Sequence, residues 1–272
     1  MTVLVAVTAL SAAAAWASSA GQPTSGFVSV GGHRMYYECS GQGGPTVVLD
    51  AGSPDTSATW RWVQPQIAQG TRVCAYDRAG LGRSSAAARG RRTPQTQVHE
   101  LRVLLDAARI PGPYIVVGHS WGGLLARLFA YVYPHQTVGA VLVDATTFPY
   151  LTPATARRLR RKTTREGIDI AAAVAESADI TSLGHLPLIV LGSNKPPLDA
   201  KLLQAQDAEA ALSTDSVDAI ARHSTHYIQR PAPTGQPQLV VAAVEAVVRA
   251  ARHHDSLPPC RQLFPEAAAA CR

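Results

Sequence analysis

Four apolar residues, Tyr114-Ile115-Val116-Val117, run without a break into Gly118-His119-Ser120-Trp121-Gly122, and an apolar helical pattern follows at once. Few backbones accommodate that succession. An unbroken β-branched run reads as a strand buried on both faces. The helix begins so soon afterwards that the reversal must be a very tight turn with Ser120 at its apex. A side chain at position 118 or 122 would crowd such a turn, which favours glycine at both. The serine is forced into a strained conformation that lifts its hydroxyl clear of the sheet. The helix points its positive end at the place where negative charge develops in acyl transfer. Ser120 is therefore the candidate nucleophile.

The rest of the chain repeats this alternation. Short apolar runs at 27–30, 35–39, 46–49, 73–76, 114–117, 140–143 and 188–191 read as strands. Helical stretches lie at about 60–68, 96–108, 121–132, 200–211 and 238–252. In the last of these, Leu239, Val240, Ala243, Val244, Val247 and Val248 recur at helical spacing. The pattern implies an α/β fold: a doubly wound, mostly parallel sheet of about eight strands with helices on both faces. Its ligands sit beyond the carboxyl ends of the strands. One interruption, residues 146–186, shows no strand pattern and reads as a short helical cap insertion over a pocket mouth. The main domain is expected over 26–255, with 256–272 as a C-terminal tail whose Ala267–Ala270 is low in complexity. Gly41-Gln42-Gly43-Gly44 lacks phosphate-loop spacing and has no helix after it, so it reads as a turn between strands.

The 272 residues suffice for one sizeable core. Net charge is +6, with arginines clustered at 89–92 and 157–165. No zinc-finger, RNA-recognition or basic-zipper pattern accompanies the excess, so these clusters read as solvated faces and no nucleic-acid partner is expected. Residues 3–17 are apolar, too short to span a bilayer comfortably, and followed by small residues. Residues 1–20 therefore read as a signal peptide cleaved after Ala17 or Ala20, or as an N-terminal arm; the usual basic leader is missing. Four cysteines, an even count without metal-ligand spacing, suit disulfides in an extracytoplasmic compartment, with four free thiols in a cytoplasmic enzyme as the alternative. No metal, cofactor or lasting membrane insertion is expected.

From 46 to 146, together with the stretch around His226, the chain resembles the α/β-hydrolase superfamily, small secreted serine esterases in particular. The resemblance is carried by the Ser120 motif, by Tyr76-Asp77-Arg78-Ala79-Gly80-Leu81-Gly82-Arg83-Ser84, and by Val48-Leu49-Asp50-Ala51-Gly52-Ser53, which is similar to the family's oxyanion loop. Many members carry His-Gly where this chain has Asp50-Ala51-Gly52. The donor there is a backbone N–H, so the departure need not disable the site. The resemblance implies oxyanion donors at the N–H groups of Trp121 and Ser53. It also places the strand of Cys39 beside that of Cys74, which implies a Cys39–Cys74 bridge. Cys260 and Cys271, close in sequence and flanked by prolines, would form the other, although the sequence alone permits three pairings.

A serine hydroxyl needs a base. In this fold the order is serine, acid, histidine, with the histidine after the last strand. Ser224-Thr225-His226-Tyr227-Ile228-Gln229 resembles that loop and makes His226 the candidate; His223 reads as a surface or supporting residue. The acid is open. The family's usual position, after the strand 188–191, holds no carboxylate until Asp199, while Asp144 ends the preceding strand, a position some members use. The expected activity is hydrolysis of a small-molecule carboxylic ester through an acyl-enzyme. The alternatives are amide or peptide hydrolysis, acyl transfer, or a non-catalytic binding protein on the same fold. Epoxide hydrolases and haloalkane dehalogenases are disfavoured, because those relatives carry Asp where this chain has Ser120.

Overall fold

The structure, a computed structural model, describes residues 24–87, 90–147, 165–194 and 200–272. Among the described residues nine strands form one sheet: β1 (Thr24–Val30), β2 (His33–Ser40), β3 (Thr46–Asp50), β4 (Val73–Tyr76), β5 (Tyr114–His119), β6 (Thr137–Val143), β7 (Leu188–Ser193), β8 (Ser216–Ala221) and β9 (Ala269–Cys271). Their spatial order is β1-β2-β4-β3-β5-β6-β7-β8-β9. The six strands from β4 to β8 are parallel, while β1, β2 and β9 join the edges antiparallel. The seven expected strands are all present; β8 and β9 were not expected.

Each central strand sends alternate residues to opposite faces, and both faces are covered. Val47, Leu49, Ile115, Val117, Val141, Val143, Ile189 and Leu191 pack beneath Trp60, Val63 and the helix α6 (Pro237–His253), through Val240, Val244, Val247 and Val248. The opposite residues, Val48, Val116, Leu142 and Val190 among them, meet α2 (Pro94–Ala107) and α3 (Trp121–Val132) through Leu101, Leu104, Leu105, Leu124, Leu125 and Phe129. Double coverage explains why these strands carry no polar alternation. Truncating a fully buried residue such as Leu124 is expected to cost about 2–5 kcal/mol.

The helices start where local chemistry allows. Pro94 opens α2 and the Thr93 Oγ1 accepts from the Thr96 N–H at 3.1 Å. Pro237 opens α6, which ends at His254 with φ +56°. The stretch expected as a helix over 60–68 is instead a 3₁₀ turn, Ser57–Trp60, and a single turn α1, Gln64–Ile67. Within the expected insertion lies α4 (Ile170–Ala178); the remaining helices among the described residues are α5 (Ala200–Ala210) and α7 (Cys260–Leu263). The expected signal segment 1–20 and most of the insertion lie outside the described residues. Among the described residues no helix is long and apolar enough to cross a membrane.

One further sequence expectation needs correction. Arg92 is no solvated residue: it is 3% exposed, paired with Glu100, and its Nη1 donates to the Glu166 carbonyl at 2.9 Å. The low-complexity tail is an ordered element. Ala269–Cys271 pairs with β8, while Phe264 and Ala269 are buried. Both disulfides are formed, Cys39–Cys74 between directly opposed residues of β2 and β4, and Cys260–Cys271 between α7 and β9.

Candidate active site

The strand order reverses direction between β3 and β5, and the residues singled out in the sequence gather at the carboxyl ends of β3, β5, β6 and β8. Ser120 follows β5 and precedes α3, with φ +52° and ψ −117°. A non-glycine residue in that region is strained. The strain persists because the surroundings hold the turn from several sides. The Ser120 N–H donates to the Val143 carbonyl at 3.1 Å, and its own carbonyl accepts from the N–H groups of Gly123 and Thr146 at 3.0 and 2.9 Å. A Cβ at Gly118 would lie 2.1 Å from the Gly122 carbonyl oxygen, and one at Gly122 would lie 2.3 Å from that of Asp50. Both glycines are thus required by close backbone approach.

Asp144 follows β6 and is 8% exposed, with φ +42°. One carboxylate oxygen accepts from the Ser193 N–H at 3.0 Å, and the other from the His226 Nδ1. That bond assigns the ring proton to Nδ1 and leaves Nε2 as the basic nitrogen. Asp199, the other candidate acid, lies outside the described residues.

His226 is carried by the loop between β8 and α6. The side chain of Gln229 is fully buried and its Nε2 donates to Thr59 Oγ1 at 3.2 Å. Thr225 donates through both N–H and hydroxyl to the Thr234 carbonyl, each at 2.8 Å. The tail grips the same loop. The Arg222 N–H and Gln236 Nε2 donate to the Ala268 carbonyl at 2.9 and 3.2 Å, and His223 Nε2 donates to that of Ala267 at 3.1 Å. His223 is thus an exposed brace apart from the Asp144 pair. His119, beside the strained serine, donates from Nε2 to the His226 carbonyl at 2.7 Å, and the two rings lie 4.5 Å apart. The histidine loop is therefore tied directly to the serine turn.

The loop after β3 closes the group. A Cβ on Gly52 would sit 2.8 Å from His119 Nδ1 and 3.0 Å from the Ser120 Cβ, so this loop lies against the serine with no room to spare. Trp121 is the first residue of α3 and is buried, its indole N–H donating to Gln97 at 3.1 Å. Sequence reasoning missed what lies under the loop after β3. Arg78, 3% exposed, donates to Asp50 at 2.5 Å and to Glu166 at 2.7 Å, and the Tyr76 hydroxyl donates to Asp50 at 2.7 Å. Burial pushes the Asp50 carboxyl above its ordinary value, against the pull of Arg78 and Tyr76. Burial also works against the charged guanidinium, but Glu166 and Asp50 outweigh it and hold Arg78 above its ordinary range. Tyr76 and Arg78 stood in the 76–84 segment and Asp50 in the 48–53 loop, but nothing in the sequence joined them, and Glu166 carried no signal.

The chain that carries this arrangement matches a known family. A family model described as alpha/beta hydrolase fold matches residues 45–246. The uncharacterized protein YqjL of Bacillus subtilis (strain 168) is 31% identical over 205 residues, covering 71% of this chain and 81% of YqjL. A soluble epoxide hydrolase of Corynebacterium sp. (strain C12) is 39% identical over 104 residues, 38% of this chain and 35% of that protein, so the match spans about a third of each. Among solved structures, a thermophilic esterase from Thermogutta terrifontis superposes with a TM-score of 0.65 at 20% identity, covering 84% of this chain and 99% of the esterase. The haloalkane dehalogenase DatA from Agrobacterium tumefaciens C58 gives 0.64 at 16% identity, with 84% and 97% covered. At such identities the structural likenesses speak for the fold alone. The family match over residues 45–246 is decisive: the chain belongs to the α/β-hydrolase fold family.

Proposed function

We propose that this protein is a serine hydrolase that cleaves carboxylic esters of small molecules through an acyl-enzyme on Ser120. His226 is the general base and Asp144 the acid that orients it. The observation that carries this reading is the pairing of Asp144 with His226 Nδ1 on a loop tied to the strained Ser120 turn. The carboxylate fixes the tautomer in which Nε2 can take a proton, and it stabilises the imidazolium that results.

In the first half-reaction the Ser120 Oγ attacks the ester carbonyl carbon while His226 Nε2 takes its proton. The carbonyl oxygen becomes an oxyanion, held by the N–H groups of Ser53 and Trp121. The carbon–oxygen bond to the alcohol then breaks, and His226 gives its proton to the departing alkoxide. In the second half-reaction water attacks the acyl-serine with His226 again as base, releasing the acid and restoring the hydroxyl. Ser120 offers a hydroxyl where the resemblance expects a carboxylate in epoxide hydrolases and dehalogenases, which favours acyl chemistry over theirs. The apolar run 3–17 and the two disulfides favour an extracytoplasmic setting.

A fluorophosphonate probe followed by peptide mapping tests the assignment. Labelling confined to Ser120, with turnover of p-nitrophenyl esters, is the expected result. Absence of labelling in a folded protein would point to a binding module on the same fold.

A further inference from the structure

We propose that Arg78 and Glu166 are positioning residues that fix the Gly52–Ser53 peptide as an oxyanion donor, Arg78 by holding its carbonyl and Glu166 by holding the Ser53 side chain. The inference rests on the serine-hydrolase reading above. In a peptide unit the C=O and N–H point in opposite directions, so anchoring the carbonyl of Gly52 on one side aims the N–H of Ser53 to the other. That carbonyl accepts from Arg78 Nη2 at 3.3 Å and from the Asp55 N–H at 2.8 Å. The preceding carbonyl, of Ala51, accepts from Arg78 Nη1 at 2.5 Å. A cation at the oxygen end also polarises the peptide, which strengthens the N–H as a donor.

The Ser53 hydroxyl supplies the second hold, donating to Glu166 Oε1 at 2.5 Å, while Glu166 Oε2 accepts from Arg78 Nε at 2.7 Å. Glu166 is fully buried, so it acts on a substrate only through its neighbours. Its own backbone is fixed in turn. Arg92 donates to its carbonyl, and the Arg92 N–H donates to the Gly167 carbonyl at 2.6 Å. A carboxylate from the insertion between β6 and β7 thus sets the geometry of the loop after β3.

The test uses Ser53→Ala, Glu166→Gln and the double variant, with p-nitrophenyl butyrate as substrate and phenylboronic acid as a mimic of the tetrahedral state. Each single change is expected to lower kcat about tenfold, less than the 10²–10³ that loss of a whole oxyanion donor costs. KM should stay within about twofold, since the hole acts on the transition state, and the boronate inhibition constant should rise by the factor lost in kcat. The double variant should be no slower than the slower single, because both changes release one peptide. An unchanged kcat in folded Ser53→Ala, a change confined to KM or melting temperature, or multiplicative losses would overturn the proposal. Should Glu166→Gln fail to fold, the kcat and boronate affinity of Ser53→Ala decide alone. A wild type that neither labels at Ser120 nor hydrolyses esters would overturn the parent reading and this one with it, whereas a labelled wild type with unaffected variants would overturn this one alone.

Discussion

Replacing Asp144 by Asn is expected to reduce kcat by about four orders of magnitude, and the hydrogen bonds around that side chain explain why. One Asp144 oxygen accepts from the Ser193 N–H, and only an oxygen can keep that bond. The amide introduced by Asp144→Asn must therefore put its nitrogen at the position facing His226 Nδ1. A nitrogen there donates, so the ring moves its proton to Nε2, and the nitrogen facing the serine no longer has a lone pair to offer. The equivalent change in a serine–histidine–aspartate site costs about 10⁴ in kcat, or roughly 5.4 kcal/mol at 1.36 kcal/mol per tenfold. The fold should tolerate the change: Asn is among the residues that accept the positive φ of position 144. The assay is p-nitrophenyl butyrate hydrolysis by protein whose circular dichroism and melting temperature match wild type, with Asp199→Asn alongside. Retention of more than about 1% of kcat would refute the tautomer argument, and a comparable loss in Asp199→Asn alone would move the acid to that residue.

Ser120→Ala and His226→Ala should each abolish ester turnover in folded protein, with the double variant little worse than either, because the pair acts as a unit; additive losses in steady-state kinetics would count against the pairing. Replacing Cys260 and Cys271 by Ser should lower stability by about 3 kcal/mol in the chain-entropy model, and activity should fade below the main melting transition because the freed tail holds the His226 loop. Denaturant titration and activity against temperature check both. Asp218→Asn should flatten the pH dependence of stability. Burial raises the folded carboxyl to about 6, whereas the unfolded chain releases that proton near 4. Wild-type stability contributed by this group is therefore full below about pH 4 and lost as pH rises to about 6; melting temperatures from pH 4 to 7 should fall more steeply in wild type than in the variant, in which buried Glu209, raised to about 7, still contributes a slope.

The sequence revealed strands buried on both faces best, because their chemistry is uniform: β3, β4 and β5 are short unbroken apolar runs with no competing local signal. It concealed β8, whose centre is Asp218. That residue is tolerated in a strand because Gln206 and Arg272 reach it from other parts of the chain. It also concealed β9, since three alanine-rich residues acquire strand character only by pairing with β8. At the site, Ser120 was legible because its turn is local, and His226 because its loop resembles a family. The acid was not, as Asp144 and Asp199 both suit the chain order and only the meeting of Asp144 with His226 across 82 residues favours one. Arg92 was misjudged for a similar reason: neighbouring arginines look alike until Glu100 and Glu166 draw one of them inward.

The two margins of the sheet differ in a way that bears on how the molecule behaves in concentrated solution. An uncovered strand offers its backbone as a template for another chain. At one margin β1 runs for seven residues, most of them polar or glycine on the exposed side. At the other, β8 carries Val217, Ala219, Ile220 and Ala221 around Asp218, a mostly apolar strand that, among the described residues, β9 covers with three residues. Cys271 lies within that cover and is tied to Cys260. Cutting the bridge removes a tether from a very short strip, and what it uncovers is an apolar edge able to pair with its like. Reducing this bridge, which joins residues eleven positions apart, is thus expected to permit intermolecular sheet growth, detectable as reductant-dependent light scattering.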